Sequence, residues 1–522
     1  MAAVPLGSFL VDSPSARRDL ARARAALDAG ELTDAAGHLA TALAHAPTLP
    51  ETHELLSRLA ARAGGALDLF PLEPHPPVGR IVARAHLLAA AGRPEDGLPL
   101  LVAASGQTPA ADWAGVPWVQ EPALGARIEP GLLARTVMRL CTTVGDPAPA
   151  ESVNALRPYL AVVRHAVAAH GEHAMLLGAG SALARRLGEV RLAVDWAARG
   201  SRSQPSKLGE IWLGYAYRSA GRMPEALAAL RRAVAYDPDD LSVYADVAAT
   251  LADLGRLDEA LRWTELALER DPAFDCVVHT AHRLRYRADG DVAHLVALAD
   301  FIRDHPDDAH EHTDLEECCR NTPWLGGLPA GPSPAAGRAP VNAEPSADAV
   351  RRLLRIASTS WPHPPAAYDR ALGLVLVEPW ELLAMLAHPA VAETGEPAGI
   401  EVWACLGLLH HGTDEPWLDS SRRRLLLGLI EGDVDRVTQA ALFALVTYAW
   451  VDPDARDDVA AVVAGRLSEV ASGPQARAVA ELALAAPGLD RPTRELAAAT
   501  IRVPAVPRQR GRGRSLLRWR RE

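Results

Sequence analysis

The order of apolar and polar residues in the middle of the chain predicts paired helices that repeat about every 34 residues. Apolar side chains recur three and four positions apart, which places them on one face of an α-helix. In one copy the first predicted helix carries Leu241, Tyr244, Val247, Ala248 and Leu251. The second carries Leu257, Ala260, Leu261, Ala267 and Leu268. Each helix therefore has an apolar face that stacking against neighbouring helices would bury.

Prolines and glycines mark the predicted helix ends at the same period. Proline recurs at spacings of 33, 34 and 34 residues, at Pro205, Pro238, Pro272 and Pro306. A glycine precedes each of the first three prolines by 17 residues, at Gly188, Gly221 and Gly255. Glycine can take the left-handed conformation that ends a helix, and proline cannot continue one. Gly214 lies inside a predicted helix, where it is less favourable than alanine, so we expect a close helix crossing there.

These residues resemble the tetratricopeptide repeat. One copy matches the family pattern at Leu213, Gly214, Tyr217, Gly221, Ala226, Leu230, Ala233 and Pro238. The next matches at Val247, Ala248, Leu251, Gly255, Ala260, Thr264, Ala267 and Pro272. The resemblance implies an all-α fold, an α-solenoid of helical hairpins whose first helices line a concave groove. In this family such grooves bind peptides or protein segments.

The rest of the chain is predicted to be helical, with weaker periodicity. We expect degenerate repeat-like hairpins over 1–109, an irregular loop with two helices over 110–173, and the repeat array over 174–320. Residues 321–346 hold six prolines and four glycines and predict a linker. Residues 347–501 predict a second helical domain, with hairpins over 400–430, 434–471 and 474–501. It is either a HEAT-like repeat or a helical bundle, and a basic, disordered tail follows over 502–522.

The sequence carries no familiar catalytic signature, so we predict a non-enzymatic protein without cofactor or metal. Lys207 is the only lysine, and Leu208 follows it, which excludes a Walker A phosphate-binding loop. His305, His310, His312, Glu316, Glu317, Cys318 and Cys319 form the densest set of potential metal ligands, yet match no known spacing. We interpret them as an acidic helix end. The N-terminus lacks the features of a signal peptide, so we expect a cytoplasmic protein. The arginine excess is attributed to high-GC bacterial coding.

Four arginines are the candidate binding residues of the groove. The family resemblance implies that residues at the ends of successive first helices project into the groove. In chain order these residues are Arg185 and Arg186, Arg218, Ala252 and Asp253, and Arg287. Arginine binds carboxylates through two parallel hydrogen bonds, so such a groove would favour an acidic or extended protein segment. The alternative is a set of solvated surface arginines. The lysine and asparagine carboxylate clamp of chaperone-binding relatives is not present.

The C-terminal tail has a charge opposite to that of the rest of the chain. The net charge is −11, but residues 502–522 hold eight arginines and one glutamate. The tail candidates for anion binding are Arg508, Arg510, Arg512, Arg514, Arg518, Arg520 and Arg521. They could bind nucleic acid, an anionic membrane surface or the acidic body itself, or stay solvated. We therefore predict a protein-interaction scaffold, with a nucleic-acid-associated regulator or an enzyme with an unrecognised site as alternatives.

Overall fold

The computed structural model describes residues 14–306, 309–327, 343–387, 399–431, 434–470 and 474–502. Within these ranges the protein is all-α, with a solenoid of helical hairpins in the first part of the chain, and its regular elements are helices apart from an isolated bridge between Gly327 and Ser360. The chain divides into two compact units after Ala260. The boundary therefore lies inside the predicted repeat array and not at the predicted linker, because the helices after residue 260 pack within the second unit.

The first unit contains fourteen complete helices among its described residues. They are Pro14–Ala29 (α1), Leu32–His45 (α2), Pro50–Ala63 (α3), Val78–Ala90 (α4), Pro94–Gln107 (α5), Pro117–Gln120 (α6), Pro122–Arg127 (α7), Pro130–Thr143 (α8), Ala150–Ala169 (α9), Ala174–Arg186 (α10), Val190–Ser203 (α11), Lys207–Ser219 (α12), Met223–Tyr236 (α13) and Leu241–Asp253 (α14). Helix α15, Leu257–Leu268, spans the boundary between the units.

The predicted helical hairpins are present in the first unit. Helices α10 and α11 form one antiparallel pair, and α12 and α13 form the next. The turn glycines Gly221 and Gly255 have φ angles of +69° and +75°, the left-handed conformation expected of them. In the α12–α13 pair, Ala226 and Ala233 are fully buried, where small side chains let two helices approach closely.

The first unit also contains the two weaker hairpins predicted near the N-terminus. Helix α1 packs on α2, and α4 packs on α5. Helix α3 is an additional helix between these pairs. Between residues 110 and 173, the two longer helices α8 and α9 lie where the sequence predicts them, near 131–143 and 151–170. Trp113, in the irregular stretch before them, is 1% exposed, so this stretch is part of the core.

The close crossing predicted at Gly214 is present. A Cβ atom at this position would lie 2.8 Å from Cγ of Leu230 on the paired helix. We expect Gly214→Leu to lower the free energy of unfolding by about 1–3 kcal/mol, because overpacking forces helices apart. Thermal unfolding followed by circular dichroism would measure the change. An unchanged melting temperature would contradict the repeat register.

The second unit contains twelve complete helices among its described residues. They are Asp275–Asp289 (α16), Ala293–Asp304 (α17), Ala309–Arg320 (α18), Ala347–Ile356 (α19), Pro364–Ala371 (α20), Pro379–Ala387 (α21), Ile400–Leu408 (α22), Ser421–Ile430 (α23), Arg436–Val451 (α24), Arg456–Glu469 (α25), Pro474–Ala485 (α26) and Arg491–Arg502 (α27). The predicted C-terminal hairpins correspond to α22–α23, α24–α25 and α26–α27.

Helix α24 lies at the centre of the second unit. It packs against α20, α22, α23, α25 and α26, and its residues from Ala440 to Trp450 are all buried. A helix that is apolar on every side is typical of the interior of a globular domain. The helices of an extended repeat keep a solvent-facing side, so this arrangement favours the helical-bundle alternative over the HEAT-like one.

The first residues of the predicted linker, 321–327, do not form a linker in the structure. Trp324 is 2% exposed and Leu325 is fully buried. The indole Nε1–H of Trp361 donates a hydrogen bond of 3.0 Å to the carbonyl oxygen of Leu325. Residues 321–327 are therefore part of the second unit's core, because the two apolar side chains outweigh the flexibility of the neighbouring glycines. Residues 328–342 lie outside the described residues.

None of the described helices has the length and apolar character needed to cross a membrane.

Candidate functional site

The candidate site lies on the first helices of the repeats in the first unit. Helix α10 packs side by side with α8 and α12, whereas α11 and α13 make no comparable contact with each other. The family resemblance described above implies that such first helices line the inner side of the array. We call this the inner face, defined by Arg185 on α10, Tyr215 and Arg218 on α12, and Asp246 and Asp253 on α14.

Two of the predicted groove arginines bind a loop of their own chain. Arg185 and Arg186 end helix α10, and both form ion pairs with Asp146 in the loop between α8 and α9. Arg186 Nε also donates to the carbonyl oxygen of Val144 at 3.2 Å. The two arginine side chains are each 15% exposed. Burial lowers the pKa of Arg185, and the neighbouring Asp146 carboxylate opposes that shift. These arginines therefore hold the loop in place.

Tyr215 joins the two neighbouring first helices of the inner face. The guanidinium of Arg185 lies 5.1 Å from the centre of its ring, in cation–π geometry. The Tyr215 hydroxyl donates a hydrogen bond of 2.7 Å to Oδ2 of Asp246. Burial raises the pKa of Tyr215 well above its ordinary value, and the nearby Asp246 carboxylate raises it further. Burial also raises the pKa of Asp246, and the hydrogen bond from Tyr215 opposes that shift.

Arg218 is held more loosely than the other two arginines. Its guanidinium nitrogens lie 3.9 Å from Oδ1 of Asp246 and 3.5 Å from Oδ2 of Asp253. Charge-assisted hydrogen bonds are shorter, about 2.7–2.9 Å. The Arg218 side chain is 29% exposed and that of Asp253 is 39% exposed. The pair therefore presents both a donor and an acceptor to the solvent side of the inner face.

Neighbouring carboxylates balance the positive charge that the sequence analysis predicts for the groove. Arg185, Arg186 and Arg218 face Asp146, Asp246 and Asp253, so three positive charges are balanced by three negative charges. The physical reason is desolvation, since a partly buried guanidinium is stable when a carboxylate accompanies it. An attraction for acidic segments no longer follows from the arginines alone.

Buried polar contacts fix the position of helix α12 beneath the inner face. Glu210 is 6% exposed, and it accepts a hydrogen bond of 2.9 Å from the Ser201 hydroxyl on α11. Its other oxygen accepts two from Arg232 on α13, at 3.1 and 2.8 Å. Lys207, at the start of α12, binds Asp237 and Asp240 of the next turn at 2.7 and 2.9 Å. These contacts position Tyr215 and Arg218.

The remaining predicted residues lie elsewhere. Arg287 is on α16 in the second unit, where its charge acts on the thiol of Cys318. The tail arginines lie outside the described residues, as do the side chains of His310 and His312. Burial raises the pKa of Cys318 to about 11, and Glu316 forms an ion pair with Arg320 at 3.2 Å. Among the described residues no group of three potential ligands could hold a metal ion.

Sequence reasoning missed Asp146, Tyr215 and Asp246. A partial signal exists for two of them, because Tyr215 lies three residues before Arg218 and Asp246 lies seven before Asp253. These spacings place each pair on one helix face. Asp146 carries no such signal, since it lies in an irregular loop 39 residues before Arg185.

Comparison with protein-family models gives one match in the region of the inner face. Residues 217–278 match the model described as "Tetratricopeptide repeat". This segment of the chain is similar to the tetratricopeptide repeat family. The matched residues include Arg218, Asp246 and Asp253. Proteins of this repeat family commonly mediate protein–protein interaction.

Several solved structures of tetratricopeptide proteins are similar to this chain. YrrB, a "TPR protein with an unusual peptide-binding site", is 21% identical, with a TM-score of 0.26 over 35% of this chain and 90% of its own. A tetratricopeptide repeat protein from Parabacteroides merdae is 13% identical, with a TM-score of 0.31. The match covers 59% of this chain and 98% of the other. The TPR2AB domain of yeast Sti1, in complex with pHSP90, is 15% identical, with a TM-score of 0.21 over 52% and 98%. No curated protein sequence matches the chain significantly.

Proposed function

We propose that the inner face binds an extended segment of a partner protein and that the chain acts as a non-catalytic scaffold. The observation that carries this proposal is the loose pairing of Arg218 with Asp246 and Asp253, at 3.9 and 3.5 Å. A guanidinium held at these distances keeps hydrogen-bonding capacity that an incoming group can use.

The charge balance of the inner face indicates what such a segment would offer. Arg218 can donate to a carbonyl or carboxylate oxygen, and the partly exposed carboxylate of Asp253 can accept from an N–H group. A protein backbone in extended conformation presents both groups along its length. An extended segment therefore fits this face better than one selected for negative charge alone.

The rigid part of the inner face supports the same role. Arg185, Tyr215 and Asp246 are linked to one another by a cation–π contact and a hydrogen bond. Side chains held in this way lose little conformational freedom when a partner binds, and a preorganised face binds more tightly for that reason. Arg218 and Asp253 would then adapt around a fixed centre.

The Arg218→Gln variant tests the proposal. Once the partner has been identified by purification of the tagged protein from its native cells, its affinity for the variant is measured by calorimetry. We expect the affinity to fall about tenfold or more, because a hydrogen bond to a charged group contributes about 1.5–3 kcal/mol. Glutamine keeps a polar side chain of similar length, which limits the structural disturbance.

Arg231→Gln is the matched control for this experiment. Arg231 lies on the second helix α13, is 43% exposed, and pairs with Glu259 at 3.7 Å. It undergoes the same chemical change on the opposite side of the hairpin. Equal affinities for both variants would contradict the inner face as the binding site.

A further inference from the structure

A cavity in the first unit lies outside the inner face. It has a volume of about 330 Å³ and lies among α3, α4 and α6. Leu56 and Ala60 of α3, Leu87 of α4 and the ring of Trp118 form part of its apolar wall. Sites for small ligands are typically concave, mostly apolar and furnished with a few polar groups, and their volumes begin near 300 Å³. This cavity has the size and lining of such a site.

The polar residues that line the cavity are His53, Ser57 and His86, and among them the His86 ring has a buried nitrogen without a partner in the part of the chain that the structure describes. The indole Nε1–H of Trp118 donates a hydrogen bond of 3.0 Å to His86 Nδ1. Nδ1 is therefore the acceptor nitrogen of a neutral ring, and the proton resides on Nε2. His86 is 6% exposed, and its Nε2 has no hydrogen-bond partner among the described residues. A buried donor without an acceptor is unfavourable, so an oxygen placed there by a ligand would stabilise the site.

The surroundings of His86 are uncharged. Burial lowers the pKa of His86 to about 3, and the nearby His53 lowers it further. Burial also lowers the pKa of His53, whose Nε2 donates to the carbonyl oxygen of Pro47 at 2.9 Å. No Lys, Arg, Asp or Glu is among the residues lining the described cavity. A charged ligand would therefore lose its hydration without gaining an opposite charge.

We propose that this cavity is a binding site for a neutral apolar group that carries one acceptor oxygen, which accepts a hydrogen bond from His86 Nε2. The apolar body would contact Leu56, Ala60 and Leu87, and the oxygen would satisfy the buried donor. The group would be a free small molecule, such as an aryl ketone, or an uncharged side chain of a bound protein.

Titration of the full chain with acetophenone and benzoate tests the proposal. Acetophenone has an apolar ring and one neutral carbonyl oxygen, whereas benzoate has the same ring and a negative charge. Nuclear magnetic resonance of protein labelled with ¹⁵N-histidine would report on the His86 ring. We expect acetophenone to shift the His86 resonances in a saturable manner and to bind at least tenfold more tightly than benzoate. Equal binding of the two probes would overturn the proposal.

Three variants separate binding in the cavity from general effects on the His86 ring. Ala60→Leu fills the cavity and leaves the His86–Trp118 hydrogen bond in place, so we expect acetophenone binding to weaken at least tenfold. Ala61→Leu, at the neighbouring exposed position, is the control and should bind as the unmodified protein does. His86→Phe removes the donor and should weaken binding about tenfold, the effect of one hydrogen bond. Unchanged binding in Ala60→Leu would overturn the site.

Native mass spectrometry distinguishes the two sources of the ligand. If the natural ligand is a free molecule, we expect protein purified from its own cells under non-denaturing conditions to carry a small-molecule adduct. Acetophenone should displace this adduct. Acetophenone binding without any such adduct would support a side chain of a partner protein. The cavity and the inner face share no residue, so failure of this proposal would not affect the proposed binding role of the inner face.

Discussion

Gly178→Ala is expected to lower the free energy of unfolding by about 3 kcal/mol, the upper end of the range for overpacking. Gly178 lies on α10 where this helix packs on α12. An added Cβ atom would lie 1.8 Å from Cε3 and 2.0 Å from Cζ3 of Trp212. Trp212 is 7% exposed and has little room to move. The substitution must therefore separate α10 from α12, two of the helices that carry the inner face.

Denaturant unfolding followed by circular dichroism would measure this effect, with Gly37→Ala as its control. Gly37 lies in α2, and a Cβ atom there would meet no other atom within 4 Å. Alanine is more favourable than glycine inside a helix, so the control should stabilise the protein by up to about 1 kcal/mol. The same substitution should thus lower the free energy of unfolding at Gly178 and raise it at Gly37. Stabilisation by both substitutions would contradict the close packing of α10 and α12.

Trp450→Ala should lower the free energy of unfolding by about 3–5 kcal/mol, the cost of removing a large buried aromatic side chain. Trp450 is fully buried near the end of α24. Its indole Nε1–H donates a hydrogen bond of 2.9 Å to the carbonyl oxygen of Ala485 on α26. Alanine would leave a cavity and an unsatisfied carbonyl oxygen at the centre of the second unit.

Trp380→Ala is the control, since the side chain of Trp380 on α21 is 46% exposed. A substitution at such a position usually changes stability by no more than about 0.5 kcal/mol. Urea unfolding of both variants would compare the two effects. Similar losses at the two positions would contradict the placement of α24 as the central helix.

The repeat architecture could be predicted from the sequence because its determinants are local. The left-handed turn at Gly221 and the close crossing at Gly214 each depend on residues within one hairpin. Glycine is the residue that tolerates both situations, so its position reveals the geometry. The helix pairs of the second unit were predictable for the same reason.

The chemistry of the inner face was only partly predictable because it depends on contacts distant in sequence. Arg185 and Arg218 were identified as inner-face candidates, but their carboxylate partners belong to other helices and loops. Helical periodicity indicates which side chains share a face and not which charges meet across two helices. The buried environment of α24 likewise follows from tertiary packing, because an apolar run alone fits either a bundle or a repeat.

Site-specific photo-crosslinking tests the binding role of the inner face most directly. A photoreactive phenylalanine derivative is placed at Ile211, one helical turn before Tyr215 on the same face of α12, and irradiated in native cells. The control position is Ala228, exposed on α13. We predict a crosslink between position 211 and one extended segment of a partner protein, which Arg218→Gln weakens and which is absent at position 228. Crosslinks of equal yield at both positions, or an unchanged yield in the Arg218→Gln variant, would contradict the account.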